Sequence, residues 1–136
     1  MKHQLGCEVD EVTGQILLAG IHDASVRGIC HDRNGKVVLS LSGSSLEQCQ
    51  LVVSGTKNAF VFSAGLALPL IVEAAFLGPD DETLANELGS AAYGAFVRQS
   101  QWVSNSDWKV LFTCSYGSPF VIFGDDALKG IHIVSP

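Results

Sequence analysis

The sequence predicts an α+β fold: a mainly antiparallel sheet built from hairpins and a meander, with one or two helices packed on one face. Three observations support this prediction. Glycine-containing turns separate alternating apolar runs over residues 21–42 and again over 108–123, and between them residues 83–96 repeat apolar side chains at helical spacing. No internal repeat or linker divides the chain, so we expect one domain over residues 1–136.

The first hairpin centres on Asn34-Gly35, a pair that supplies the positive φ angles of a two-residue type I′ turn. In that register Arg33 faces Lys36, and Cys30 pairs with Leu39. Alternation then places one set of side chains on a buried face, namely Val26, Cys30, Leu39 and Leu41. The wetter face receives Arg27, Ser40 and Ser42, and Gly28 marks either a bulge or the close approach of another backbone.

The segments that follow read as further strands. Runs at 50–54 and 59–62 predict a third and a fourth strand, joined by a turn into a meander. The apolar run over 66–77 fits either a buried strand or a short buried helix. A continuous apolar run has no periodicity that would distinguish the two. Gln15–Ala19 fits a short strand or a helical turn.

A helix is predicted over about residues 82–98. Asp80, Asp81 and Glu82 suit the exposed amides and dipole of its N-terminus. Its apolar stripe consists of Leu84, Leu88, Ala91, Ala92, Ala95 and Phe96, although two glycines, Gly89 and Gly94, each cost about 1 kcal/mol relative to alanine.

A second hairpin closes the fold around Gly117-Ser118. A two-residue turn there places Cys114 opposite Val121 and Phe112 opposite Phe123, an aromatic pair on the buried side. Residues 131–133 suggest a last strand.

The composition of the chain excludes two classes of partner and indicates a cellular location. A net charge of -6 without any basic run would repel a phosphate backbone, so nucleic acid is not an expected partner. No stretch reaches the roughly 18 apolar residues that span a bilayer, so no membrane partner is expected. The N-terminus lacks a secretory pattern and the four cysteines are sparse, which predicts a cytoplasmic protein with reduced thiols.

The candidate site residues are two polar pairs, both expected to serve binding and neither catalysis. His22 and Asp23 would point to opposite sides of an extended strand, which favours a packed, hydrogen-bonded histidine at the sheet edge and an aspartate that ends a turn or accepts backbone amides. His31 and Asp32 follow Cys30, but the predicted register turns Cys30 inward and His31 outward. Metal-ligand doublets and nucleotide motifs are missing from the sequence, so neither a metal nor a cofactor is predicted.

Three short segments together resemble small bacterial α+β domains of unknown function. They are His22-Asp23-Ala24, the hairpin through Asp32-Arg33-Asn34-Gly35, and Ser115-Tyr116-Gly117 before an apolar strand. The resemblance covers roughly residues 21–134. Some such domains are immunity proteins that accompany polymorphic toxins, so the resemblance implies a protein-binding role.

Three functions follow as hypotheses. The first is a non-catalytic protein-interaction or binding module, because an acidic and strongly apolar sheet protein suits a basic protein partner. The second is a small hydrolase or isomerase that uses His22 or His31 with a distant carboxylate. The third is a structural subunit that self-associates, which the 47% hydrophobic content suggests.

Overall fold

The computed structural model describes residues 7–18, 20–32, 35–42, 48–55, 58–63, 65–100, 108–124 and 127–134. These ranges hold ten strands and two helices. The strands are β1 (Glu8–Val9), β2 (Ile16–Leu17), β3 (Ser25–Asp32), β4 (Lys36–Ser42), β5 (Cys49–Gly55), β6 (Ala59–Phe62), β7 (Leu70–Leu77), β8 (Trp108–Tyr116), β9 (Phe120–Gly124) and β10 (Leu128–Val134). The helices are α1 (Asp81–Leu88) and α2 (Ser90–Ser100).

Eight of these strands form one antiparallel sheet in the order β10-β5-β4-β3-β7-β8-β9-β6, and β1 pairs with β2. The predicted combination of a mainly antiparallel sheet with helices is therefore confirmed. The predicted meander holds only from β3 to β5. Its extension to β6 is wrong, because the second edge of β5 is occupied by the longer strand β10 and β6 pairs with β9.

The sheet curls until its β6 edge lies close to β4 and β5. Side chains on the inner face of both halves therefore meet in one core. Its fully buried members include Leu39, Leu51, Val53, Val72, Val110, Phe112, Phe120, Ile122 and Ile131. A second buried cluster joins the helices to the other face of β6, β8 and β9 and contains Phe62, Leu84, Phe96, Leu111, Val121 and Phe123.

The first hairpin differs from its predicted register by one residue. Asp32 pairs with Lys36 and Cys30 pairs with Val38, so three residues form the connection where the sequence predicted two. Gly35 has the predicted positive φ, at 75°, and this matches the left-handed third residue of a three-residue loop. The predicted partner of Lys36, residue 33, and the turn residue 34 lie outside the described residues.

Val26, Leu39 and Leu41 are buried as predicted, but the predicted face of Cys30 is wrong, and a β-bulge at Arg27 is the second reason. Val26 pairs with Leu41, but Gly28 pairs with Ser40, so β3 carries one extra residue at this point. Beyond a bulge the alternation of inside and outside changes phase. Cys30 is consequently exposed rather than buried.

The second hairpin also has a different register from the predicted one. Phe112 lies opposite Phe120 and not Phe123, and the two rings stack with centroids 4.6 Å apart and an interplanar angle of 5°. The aromatic cross-strand pair is thus present with another partner. Pro119 explains the shift, because a proline has no N–H for the ladder and keeps β9 from starting before Phe120. The last residues of β8 pair only with β7.

The helical region is divided at Gly89. Asp80 caps α1 as predicted, since its side chain accepts a hydrogen bond from the backbone N–H of Thr83 at 2.7 Å. Gly89 then adopts a φ of 88°, which ends α1, and α2 starts at the next residue. The single predicted helix is therefore two helices, because glycine takes this left-handed conformation without the steric cost that another residue would meet.

The apolar run over 66–77 forms strand β7, which settles the choice between strand and helix. Its end is held by the N-terminal segment: the N–H of Leu77 donates to the carbonyl oxygen of Gly14 at 2.7 Å, and Gln15 forms a bridge with Phe76. Gln15–Ala19 includes the short strand β2, the first of its two predicted alternatives.

Trp108 fills the space beside Gly55, the last residue of β5, and Gly124, the last residue of β9. A Cβ atom on Gly124 would overlap the indole ring and lie 2.5 Å from the carbonyl oxygen of Asn58. We expect Gly124→Ala to lower the free energy of unfolding by about 1–3 kcal/mol or more, since a packed ring and a backbone atom would both have to move.

Gly94→Ala is the matched control for this substitution. Gly94 lies within α2, and its added Cβ would meet only the flexible end of Arg98 at 3.5 Å. This variant should be more stable than the wild type by up to about 1 kcal/mol, because alanine favours a helix. Urea unfolding of both variants measures the contrast, and equal stabilities would contradict the packing described for Trp108.

Candidate functional site

The four predicted site residues lie at opposite ends of strand β3. His22 and Asp23 precede the strand, and His22 lines a shallow pocket, whereas His31 and Asp32 end the strand. His31 lines a separate cleft. The structure therefore brings the side chains of His22 and Asp23 together and places His31 at a different site.

His22 completes the hydrogen bonding of strand β7. Its Nδ1 lies 2.7 Å from the carbonyl oxygen of Glu73, and an Nδ1–H donor is the arrangement that satisfies this oxygen. The adjacent backbone bond, from the N–H of Asp23 to the carbonyl oxygen of Val72, is 2.8 Å long. His22 is therefore hydrogen-bonded as predicted, but the prediction that it is packed is wrong, because its side chain is 70% exposed.

Asp23 lies on the same side as His22, which contradicts the prediction that the two point apart. The reason is local backbone conformation: Asp23 has a φ of 66° in a turn and is not extended. This left-handed conformation, which aspartate tolerates better than most residues, brings its Oδ2 to 3.6 Å from Nε2 of His22. The hydrogen bond to the Glu73 carbonyl, followed by the charge of Asp23, raises the pKa of His22 above 6.5.

Glu73 is the functional candidate that sequence reasoning missed. It is the only charged residue in the apolar run over 66–77, and that isolation was the available signal. A bulge in β7 lies at this residue, because Val72 pairs with Cys114 while Ala74 pairs with Thr113. The hydroxyl of Thr113 lies within 3.4 Å of the Glu73 carboxylate and 3.3 Å of the Ala74 carbonyl oxygen.

The chemistry near Glu73 does not favour a cysteine nucleophile. Burial, followed by the negative charge of Glu73, raises the pKa of Cys114 to about 11. Its Sγ donates to the carbonyl oxygen of Ser118 at 3.4 Å. A nucleophilic cysteine needs the opposite shift, toward the thiolate.

A cleft of about 340 Å³ lies between β3 and β6, and His31 is one of its walls. The lining consists of Ile29, His31, Val61, Ser63 and Leu66. Ile29 and Val61 are half-buried against the main core. The cleft is therefore apolar at its base, with an imidazole and a hydroxyl at its walls.

The backbone of β3 beside this cleft has an unpaired edge. Strand β3 pairs with β4 along its whole length but with β7 only at Ser25 and Val26. Pro69 immediately precedes the last β7 partner, Leu70, and its missing N–H interrupts the ladder. In the described ranges, no strand covers the second edge of residues 28–32.

Two further surveys concern the described residues. No three or more histidine, cysteine, aspartate or glutamate side chains among them are grouped as a metal ion would require. No helix among them has the length and apolar character needed to cross a membrane.

Comparison with known proteins gives no match: no family model, curated protein or solved structure is significantly similar to this chain.

The exposure of Cys30 predicts selective thiol chemistry. Burial raises the pKa of Cys7, Cys49 and Cys114, whereas Cys30 lies on the surface. In the native protein we expect iodoacetamide to modify Cys30 first, as measured by mass spectrometry of peptides. Cys30→Ser should remove the fastest phase of iodoacetamide modification, and Cys49→Ser should leave that phase unchanged. Four thiols with equal rates would show that this face of β3 is wrongly assigned.

The contact between His22 and Asp23 predicts a linked titration. A folded-state pKa above 6.5 means that protonated His22 stabilises the fold; this contribution is complete below 6.5 and is lost as the pH rises through the folded pKa. Asp23→Asn keeps a residue that tolerates the left-handed conformation but removes the charge, so the pKa of His22 should fall.

Titration of the His22 ring by NMR measures that fall. Glu87→Gln removes an exposed carboxylate from α1 and serves as the control, for which we expect an unchanged His22 titration. An Asp23→Asn variant that titrates like the wild type would exclude Asp23 as a cause of the shift.

Proposed function

We propose that this protein is a non-catalytic interaction module that binds an extended segment of a protein partner along the free edge of β3. The observation that carries the proposal is the early end of the β3–β7 ladder, which leaves one edge of residues 28–32 without a partner strand among the described residues, beside the cleft. An added strand would bond to this backbone, and alternate side chains of the segment would enter the cleft.

The cleft supplies apolar contacts for such a segment. Ile29 and Val61 offer half-buried surfaces, and Leu66 is 40% exposed at the opening, as is Leu68 two residues later. An exposed leucine is ordinary by itself, but two beside an open strand edge form a continuous binding surface. The proposal thus combines backbone hydrogen bonds with apolar contacts.

The helices leave this surface open in the proposed arrangement, in which α1 and α2 pack on one face of the sheet. Phe60 and Phe62 contribute to the helix cluster, whereas Val61 packs toward the main core. Because successive strand residues point to opposite faces, the cleft and the helices occupy opposite sides of β6.

The net charge of the chain indicates which kind of segment binds at the cleft. The chain has a net charge of -6, so a second copy would be repelled and a basic segment attracted. We therefore propose a basic partner segment rather than self-association. The resemblance to immunity-protein-like domains is consistent with this choice. A cytoplasmic location is part of the proposal and is supported by the four free thiols.

The test uses a defined probe: a seven-residue peptide of alternating valine and lysine with both ends blocked. We expect saturable binding by NMR titration of the whole protein and new protection of amides within residues 28–32 against hydrogen exchange. The same peptide with proline in place of its central valine should bind much more weakly, because it loses a ladder donor.

Leu66→Ser and Val134→Ser form a matched pair for this experiment, because neither changes the charge that attracts the basic peptide. Both side chains are 40% exposed, but Leu66 lines the cleft and Val134 lies on the edge strand β10. Only Leu66→Ser should weaken binding, by roughly tenfold, the effect of losing one apolar contact of about 1.4 kcal/mol. Protection confined to residues 128–134, absent saturable binding, or light scattering that shows a dimer through β3 would contradict the proposal.

A further inference from the structure

A second pocket lies on the outer face of β3, β4 and β5 and shares no lining residue with the cleft. Its volume is about 390 Å³, a size that suits a small ligand. The lining consists of Arg27, Ser40, Leu41, Ser42, Gln48, Cys49 and Gln50.

Arg27 is placed at this pocket by the bulge in β3. The extra residue lies between the pairs Val26–Leu41 and Gly28–Ser40, and a bulge redirects the side chain that it carries. The Nε of Arg27 donates to the hydroxyl of Ser42 at 3.0 Å, which fixes the plane of the guanidinium group. That bond uses one of the five N–H donors of arginine.

The surroundings of Arg27 suit an anion with an organic body. The chain has 14 acidic residues, yet none of the described residues that line this pocket is acidic. Ser40, Gln48 and Gln50 add hydrogen-bonding groups. Leu41 and Cys49 also border the pocket, although their side chains lie in the main core on the inner face of the sheet.

We propose that this pocket binds a small carboxylate, with Arg27 holding the carboxylate group and the serine and glutamine side chains contacting the rest of the ligand. A planar guanidinium matches the two oxygens of one carboxylate. A carboxylate suits the pocket better than a phosphate, because a phosphate monoester carries up to two negative charges and Arg27 is the single cation among the described lining residues. The proposal is independent of peptide binding at the cleft.

The test is an NMR titration of the whole protein with acetate, with an acetylated tripeptide that has a free C-terminus, and with the same tripeptide as its amide. We expect saturable shifts at Arg27, Ser40 and Ser42 for the two carboxylates and none for the amide. If the tripeptide binds more tightly than acetate, the source of the carboxylate is a chain terminus. If the two affinities are equal, the source is a small acid. Both results support carboxylate binding in this pocket.

Variants separate the pocket from general charge effects. Arg27→Gln should weaken acetate binding about tenfold or more, since a hydrogen bond to a charged group is lost, and Ser42→Ala should weaken it less. Arg98→Gln removes the same charge from α2 and should bind like the wild type. Circular dichroism checks the fold of each variant. Three results would overturn the proposal. They are chemical-shift changes with acetate equal to those with chloride, saturable binding of phosphate but not of acetate, and unchanged acetate binding in Arg27→Gln.

Discussion

The two halves of this sheet are joined by a short ladder between β3 and β7. Regular pairing covers only Ser25 and Val26 against Ile71 and Leu70. Two further hydrogen bonds extend it at Val72, whose N–H donates to the carbonyl oxygen of Ala24 and whose carbonyl oxygen accepts from the N–H of Asp23. His22 extends the same series with a side-chain bond to the next carbonyl oxygen, that of Glu73. The curl of the sheet, the shared core and the open cleft all depend on where this ladder begins and ends.

The sequence predicts well those features that depend on local chemistry. Side-chain type and alternation account for three of them. These are the capping of α1 by Asp80, the positive φ of Gly35 and the strand character of β4, β5, β8 and β10. These preferences act over a few residues. They were sufficient for the class of fold and for most of its elements.

Register and strand order could not be predicted in the same way. A single extra residue at Arg27 and a three-residue loop before Lys36 change which side chains face the core. The exposure of Cys30 follows from both. Gly28 indicated either a bulge or a close backbone approach without deciding between them, and Asn34-Gly35 favoured a two-residue loop. The partners of β6 lie far along the chain, so the crossover to β9 depends on the completed core rather than on any nearby turn. The open edge beside His31 likewise depends on the tertiary pairing that Pro69 interrupts.

The strand order also has a consequence for how the chain folds. β5 and β6 follow each other in sequence, yet each is paired by a strand from the far end of the described chain, β10 and β9 respectively. Their edges remain without those partners until distant segments arrive, and such non-local closure slows folding. During that interval the apolar strands present edges on which unfinished molecules could associate, so we expect the yield of folded chain to fall as its concentration during folding rises.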